Sequence, residues 1–308
     1  MTRREGPETP RTRHWESQDF TVSKVVLQEG NLHQDLPRFG ANLEVKLADI
    51  SVSGITLSEL THDFFFSKFF NTNHSGQILL GDSDSEIDRC LEKCLSSMYP
   101  GERCQAAMRI HFDIQKNKRE PVELKEVWVD IECQVHLESV LNAQPLDKWH
   151  AETKLEKAKE INEAAVRLFK TQRYLDAFYQ FRSAMRLVVF VLEDKPEVAE
   201  SLRKEAMDMK LSCYSNIAAC QFQWKNFGYV IQIGGKVLEH QPQNVKMLYR
   251  RGVSYLERKE FPEAKSDLSE AHKLDPSNKA INDKLGQLRI LEKKHTQHLA
   301  NNMKKMFG

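Results

Sequence analysis

The 308-residue chain has no apolar run approaching the roughly 18–20 residues that a helix needs to span a bilayer, which excludes a helical membrane protein. Its opening residues, MTRREGPETPRTRHWESQDF, are basic but have no apolar stretch behind them, so no secretory signal is expected. Cysteine is sparse. The six residues form no Cys-x-x-Cys pair, which argues against a disulfide scaffold and against a zinc finger. Neither sign of charge is in excess: 45 Lys+Arg stand against 44 Asp+Glu, so no global field draws the chain to nucleic acid. No glycine loop of the phosphate-binding kind is present, and His62, His74 and His111 have no spacing that a metal or a catalytic triad requires. No cofactor is implied. What remains is an ordinary globular composition, 40% hydrophobic and 29% charged, at a length that suggests two domains. The expected setting is the reducing cytoplasm, with the nucleus also open to it.

Residues 1–19 combine Arg3, Arg4, Arg11 and Arg13 with two prolines and a single large apolar residue, Trp15. Such a segment buries too little surface to offset its ordering entropy, and a disordered basic arm is expected. From 20 to 144 the pattern is mostly period two. Leu43, Val45 and Leu47 alternate with polar neighbours, as do Cys104, Ala106, Met108 and Ile110, and then Val127, Val129, Ile131, Cys133, Val135 and Leu137. Alternation of this length predicts half-buried antiparallel strands. One segment differs: Ile87, Cys90, Leu91, Cys94, Leu95 and Met98 recur at steps of three and four, which predicts one amphipathic helix. Ser83, three residues before Glu86, offers a capping box at its start. The fold class expected here is α+β, an antiparallel sheet with one packed helix. Within it, the run Phe64–Phe70 carries five Phe, readable as core filling or as an exposed ledge. Cys90 and Cys94, one turn apart, are readable as core thiols or, with Cys104 or Cys133, as metal ligands.

After Pro145 a 3.6-residue period runs to the C-terminus, predicting an all-α region over 150–308. An internal repeat is visible in it. Asn216, Ala218, Val237 and Pro242 recur, 34 residues on, as Arg250, Gly252, Ala271 and Pro276. That period is the tetratricopeptide signature, in which small residues let paired helices approach closely. Ala165, Ala177, Phe181 and Ala184 supply a first copy, separated from the second by a surplus that contains DKPEVAESLRKEAMDMK. The Lys-rich segment after Gly286 suits a helix that caps a three-repeat solenoid.

VSKVVLQEG (22–30), PRFGANLEVKL (37–47), ILLGDSDSEIDRCLEKCLSSMYPGERC (78–104) and EVWVDIECQVHL (126–137), followed by the repeat motifs YSNIAAC and KMLYRRG, resemble the large immunophilins. Those proteins join an FKBP-type domain to tetratricopeptide repeats, and the resemblance extends to the family's divergent FKBP-like branch. Active members rotate a prolyl peptide bond in an aromatic pocket. The resemblance implies that Leu91 stands where the helix Trp would be, that Asp88 replaces an Ile, and that Leu47 replaces a strand Tyr. A non-catalytic first domain is therefore expected, with a slow isomerase that has a rebuilt pocket as the enzyme alternative.

The resemblance further implies a groove that grips the acidic C-terminal tail of heat-shock protein 90, with Asn216, Lys246 and Arg250 as clamp residues. Lys246 and Arg250 are four apart, hence on one helix face. The first repeat departs from the clamp pattern, with Asn162 where Lys is expected and Val166 where Asn is expected. Hydrogen bonds to charged groups contribute about 1.5–3 kcal/mol each, so losing two weakens binding on the order of a hundredfold or more. The implied role is a co-chaperone or scaffold whose first domain contacts clients. An adaptor that docks a non-chaperone partner through apolar groove residues is the third reading.

Overall fold

The computed structural model describes residues 14–54, 70, 75–83, 85–114, 125–193 and 198–307, and divides into two compact units, Met1–Trp149 and His150–Gly308. Among the described residues of the first unit six strands form one sheet: β1 (His14–Glu16), β2 (Val22–Gln28), β3 (Asn42–Ser53), β4 (Ser75–Leu79), β5 (Arg103–Ile114) and β6 (Lys125–Leu141). Every neighbouring pair is antiparallel, in the order β1-β2-β5-β6-β3-β4. The alternating residues supply one buried face. Leu43 and Val45 of β3, Cys104 through Ile110 of β5, and Val129 through Leu137 of β6 point into it, with Cys104 opposite Val135 and Met108 opposite Ile131. Helix α1 (Glu86–Leu95) closes that face with Ile87, Cys90, Leu91, Cys94 and Leu95. Burying a side chain of this size contributes roughly 1.5–3 kcal/mol, which fixes the helix against the sheet.

Two expectations are corrected here. The helix cap is Ser85, not Ser83: Ser85 directly precedes the first helical residue, and its Oγ accepts the Asp88 amide at 3.1 Å. Glu86 turns instead to Arg89, which donates to it at 2.5 Å. Nor is all of 1–19 an unstructured arm, because His14–Glu16 pair with Ser23–Val25. An edge strand needs backbone partners more than side-chain burial, and the Ser17 hydroxyl completes the turn by accepting the Val22 amide at 3.0 Å. Residues 1–13, Phe64–Lys68 and Phe69, His62 and His74 lie outside the described residues; Phe70 is half-buried against the core.

The described residues of the second unit form helices: α2 (Ala151–Lys170), α3 (Tyr174–Glu193), α4 (Glu200–Gln223), α5 (Phe227–His240), α6 (Val245–Glu257), α7 (Phe261–Leu274) and α8 (Lys279–Phe307). The first six form three antiparallel pairs. In each pair's turn, one non-glycine residue takes the left-handed conformation: Gln172, Lys225 and Lys259, with φ of 65°, 57° and 63°. Each donates its amide to a carbonyl of the preceding helix at 3.0 Å, satisfying an otherwise orphaned acceptor. Small residues sit where helices meet. A Cβ on Gly252 would lie 2.9 Å from Leu268 Cγ, so α6 and α7 approach more closely than an alanine permits. The surplus before the second repeat is taken up by length, since α3 has 20 residues and α4 has 24, against 14 in α5 and 13 in α6. Among the described residues no helix is long and apolar enough to cross a membrane.

Candidate functional site

In the first unit, β3 turns Leu47 inward and α1 buries Leu91, the two at 7% and 1% exposure. Asp88, on the adjoining turn of α1, is also buried, with its amide tied to the Ser85 cap. Beside it Glu92 accepts the Gly81 amide at 2.9 Å and fastens the segment after β4 to the helix. Burial, aided by the charges of Asp88 and Asp82 and opposed by the bonds from Gly81 and Ser83, pushes the Glu92 carboxyl up to about 7. The three positions named from the resemblance thus lie at a helix–sheet contact made of aliphatic and acidic groups.

The cysteines belong to the same core. Cys90, Cys94, Cys104 and Cys133 are all at 0% exposure, and Cys94 Sγ lies 3.8 Å from Cys104 Sγ. Burial first, then neighbouring charge, pushes Cys90 and Cys133 up to about 12, which keeps them as thiols. Among the described residues no group of three ligating side chains could hold a metal ion.

A cavity of about 300 Å³ opens elsewhere on the first unit, lined by Trp15, Lys24, Leu32, Tyr99 and Glu102 among others. Lys24 Nζ is buried there, 2.5 Å from Glu102 Oε1 and 2.8 Å from the Ser97 carbonyl, and lies over the Trp15 ring at 5.9 Å. Sequence reading missed this pair. Its signal was available, because Lys24 shares the inward face of β2 with Val22, where a charge requires a partner.

In the second unit the first helix of each pair contributes to one polar strip. Asn216 on α4 donates through Nδ2 to Asn162 Oδ1 on α2 at 3.1 Å, and the Cys213 thiol reaches the same oxygen at 3.9 Å. Arg250 on α6 reaches back to α4, where its Nη1 donates to the Ser215 carbonyl at 3.4 Å. Burial holds the Arg250 guanidinium below its ordinary range, with the Cys220 charge opposing. Lys246, one turn earlier, is exposed. Among the described residues neither cation has a carboxylate partner. The neighbouring arginine is used differently: Arg251 forms a two-point pair with Asp267 on α7, both bonds 2.7 Å, and so staples the helix pair. Val166 does not join the strip, since it packs half-buried against the apolar core. Lys159, one turn before Asn162, is engaged by Glu205 at 2.5 Å.

No family model matches the chain. In sequence it is 26% identical over 207 residues to the peptidyl-prolyl cis-trans isomerase FKBP4 of Bos taurus, covering 67% of this chain and 44% of that protein. It is 29% identical over 221 residues to the FK506-binding protein-like of Mus musculus, covering 71% and 55%. The chain therefore spans about half the length of the curated relatives it matches. Among solved structures, residues 1–211 of CG17282 superpose with a TM-score of 0.52 at 20% identity, covering 70% of this chain and 96% of that one.

Proposed function

We propose that the chain is an immunophilin of the kind that joins an FKBP-type domain to tetratricopeptide repeats, and that it acts as a non-catalytic co-chaperone or scaffold. Its second unit takes an acidic peptide, for which the C-terminal tail of heat-shock protein 90 is the leading candidate. One observation carries this reading: Asn162 and Asn216 are bonded to each other across α2 and α4, and Arg250 reaches from α6 to the Ser215 carbonyl next to Asn216, half-buried without a carboxylate. Burying a guanidinium costs free energy unless an anion answers it, so the strip is arranged for one. Lys246 adds a second positive charge on the same face of α6.

In the first unit, our reading is that the isomerase pocket has been filled. Leu91 at 1% exposure and Leu47 at 7% offer aliphatic packing in place of aromatic walls, and buried Asp88 is a poor neighbour for an apolar prolyl ring. The relatives' name as isomerases favours the second reading, a slow enzyme.

Titrating the full chain with the chaperone's acidic C-terminal pentapeptide by calorimetry tests the first reading. Micromolar binding that weakens from low to physiological salt is expected, because charge-assisted bonds are screened. Salt-insensitive binding would replace the clamp by apolar docking of another partner, and absence of binding would remove it. Turnover of a proline tetrapeptide above the uncatalysed rate, lost on substitution of Leu91, would restore the enzyme.

A further inference from the structure

Within the strip, charge and neutrality are segregated. Both cations lie on α6, whereas the end formed by α2 and α4 is a pair of carboxamides bonded to each other. Asn162 Oδ1 is occupied twice, by Asn216 and by Cys213. That leaves Asn162 Nδ2 as a donor and Asn216 Oδ1 as an acceptor, neither with a partner among the described residues. Donor and acceptor side by side complement a peptide group, which carries an N–H and a C=O. They do not complement a carboxylate, which only accepts, brings a full negative charge, and would face the lone pairs of Asn216 Oδ1. Lys159, one turn before Asn162 on α2, is turned to Glu205 at 2.5 Å.

We infer that the groove reads an internal acidic segment and not a chain terminus: an acidic side chain sits on Lys246 and Arg250, and an uninterrupted peptide group sits on the Asn162–Asn216 pair. This rests on the acidic-peptide reading above and narrows its ligand class. A free C-terminal carboxylate is then dispensable, and acidic stretches within a partner are admissible ligands.

Three peptides separate the two levels by fluorescence anisotropy on the full chain: the acidic pentapeptide as free acid, the same peptide as C-terminal carboxamide, and a free acid whose acidic side chains are replaced by their amides. The carboxamide is expected to bind within about threefold of the free acid, and the side-chain amide form to lose at least about tenfold. The variant Asn162→Lys, which places a cation at the neutral end, is expected to create a preference of about tenfold for the free acid. A loss of about tenfold on amidation in the unmodified protein would overturn the inference and leave the clamp standing. So would an Asn162→Lys variant with no new preference. If none of the three peptides binds, the acidic-peptide reading falls and takes this inference with it.

Discussion

Lys24 in the first unit and Arg250 in the second are both cations withdrawn from water, and they are answered differently. Lys24 is closed off by Glu102, the Ser97 carbonyl and the Trp15 ring, and Glu102 spends its other oxygen on the Tyr99 amide at 3.0 Å. Arg250 has one peptide carbonyl at 3.4 Å and no acid. A charge that is fully answered holds a loop in place. A charge that is half-buried and unanswered is set for a ligand. Under the proposed function the first unit's polar interior is structural and the second unit's polar strip is a binding surface, and each half can be broken separately.

The largest effect expected is on binding. Replacing Lys246 and Arg250 together by Ala removes two charge-assisted interactions of about 1.5–3 kcal/mol each, so peptide affinity measured by calorimetry should fall a hundredfold or more. Thermal stability should change little, because neither cation has a carboxylate to lose. Glu102→Ala makes the opposite case, with no effect on peptide binding and a loss of about 3–5 kcal/mol in urea unfolding, since it strands Lys24. The double replacement Lys24→Met, Glu102→Leu should recover most of that loss, and a double variant as unstable as Glu102→Ala alone would deny the pair its structural role.

Smaller effects sharpen the same contrast. Gly252→Ala places a Cβ 2.9 Å from Leu268 Cγ and should cost about 1–3 kcal/mol in stability. Because it strains α6, the helix that carries Lys246 and Arg250, peptide affinity should fall with it. Glu92 gives a pH signature confined to the first unit. Its pKa is raised from 4.5 to about 7 on folding, so the folded state binds the extra proton between those values. Stability contributed by the protonated form is complete below about pH 4.5 and is lost as pH rises through 7, on the order of 3 kcal/mol in all. Glu92→Gln should flatten that slope in urea melts taken across the interval, while peptide binding keeps its own pH dependence.

Most of this architecture was legible because burial imposes periodicity. Leu43, Val45 and Leu47 announce an inward face at every second residue, and the spacing of Ala218 and Gly252 announces stacked helix pairs. What was not legible depends on partners distant in sequence or on backbone alone. The strand His14–Glu16 is held by main-chain pairing to β2, which leaves no side-chain pattern to read. In DSDSE either serine can cap, and the first helical residue decides between them. Asn162, Asn216 and Arg250 were named from the family resemblance, but the bond that joins two of them crosses from α2 to α4 and exists only once the helices are packed. That bond converts a missing cation into a neutral donor–acceptor pair.

The most direct test of where binding resides is to follow the side-chain amide signals of Asn162 and Asn216, together with the Trp15 indole signal, in the isotope-labelled full chain as the acidic pentapeptide is added. Saturable shifts of both asparagine amides and an unmoved Trp15 are expected. A moving Trp15 with silent asparagines would place the binding surface in the first unit and contradict its place in the second.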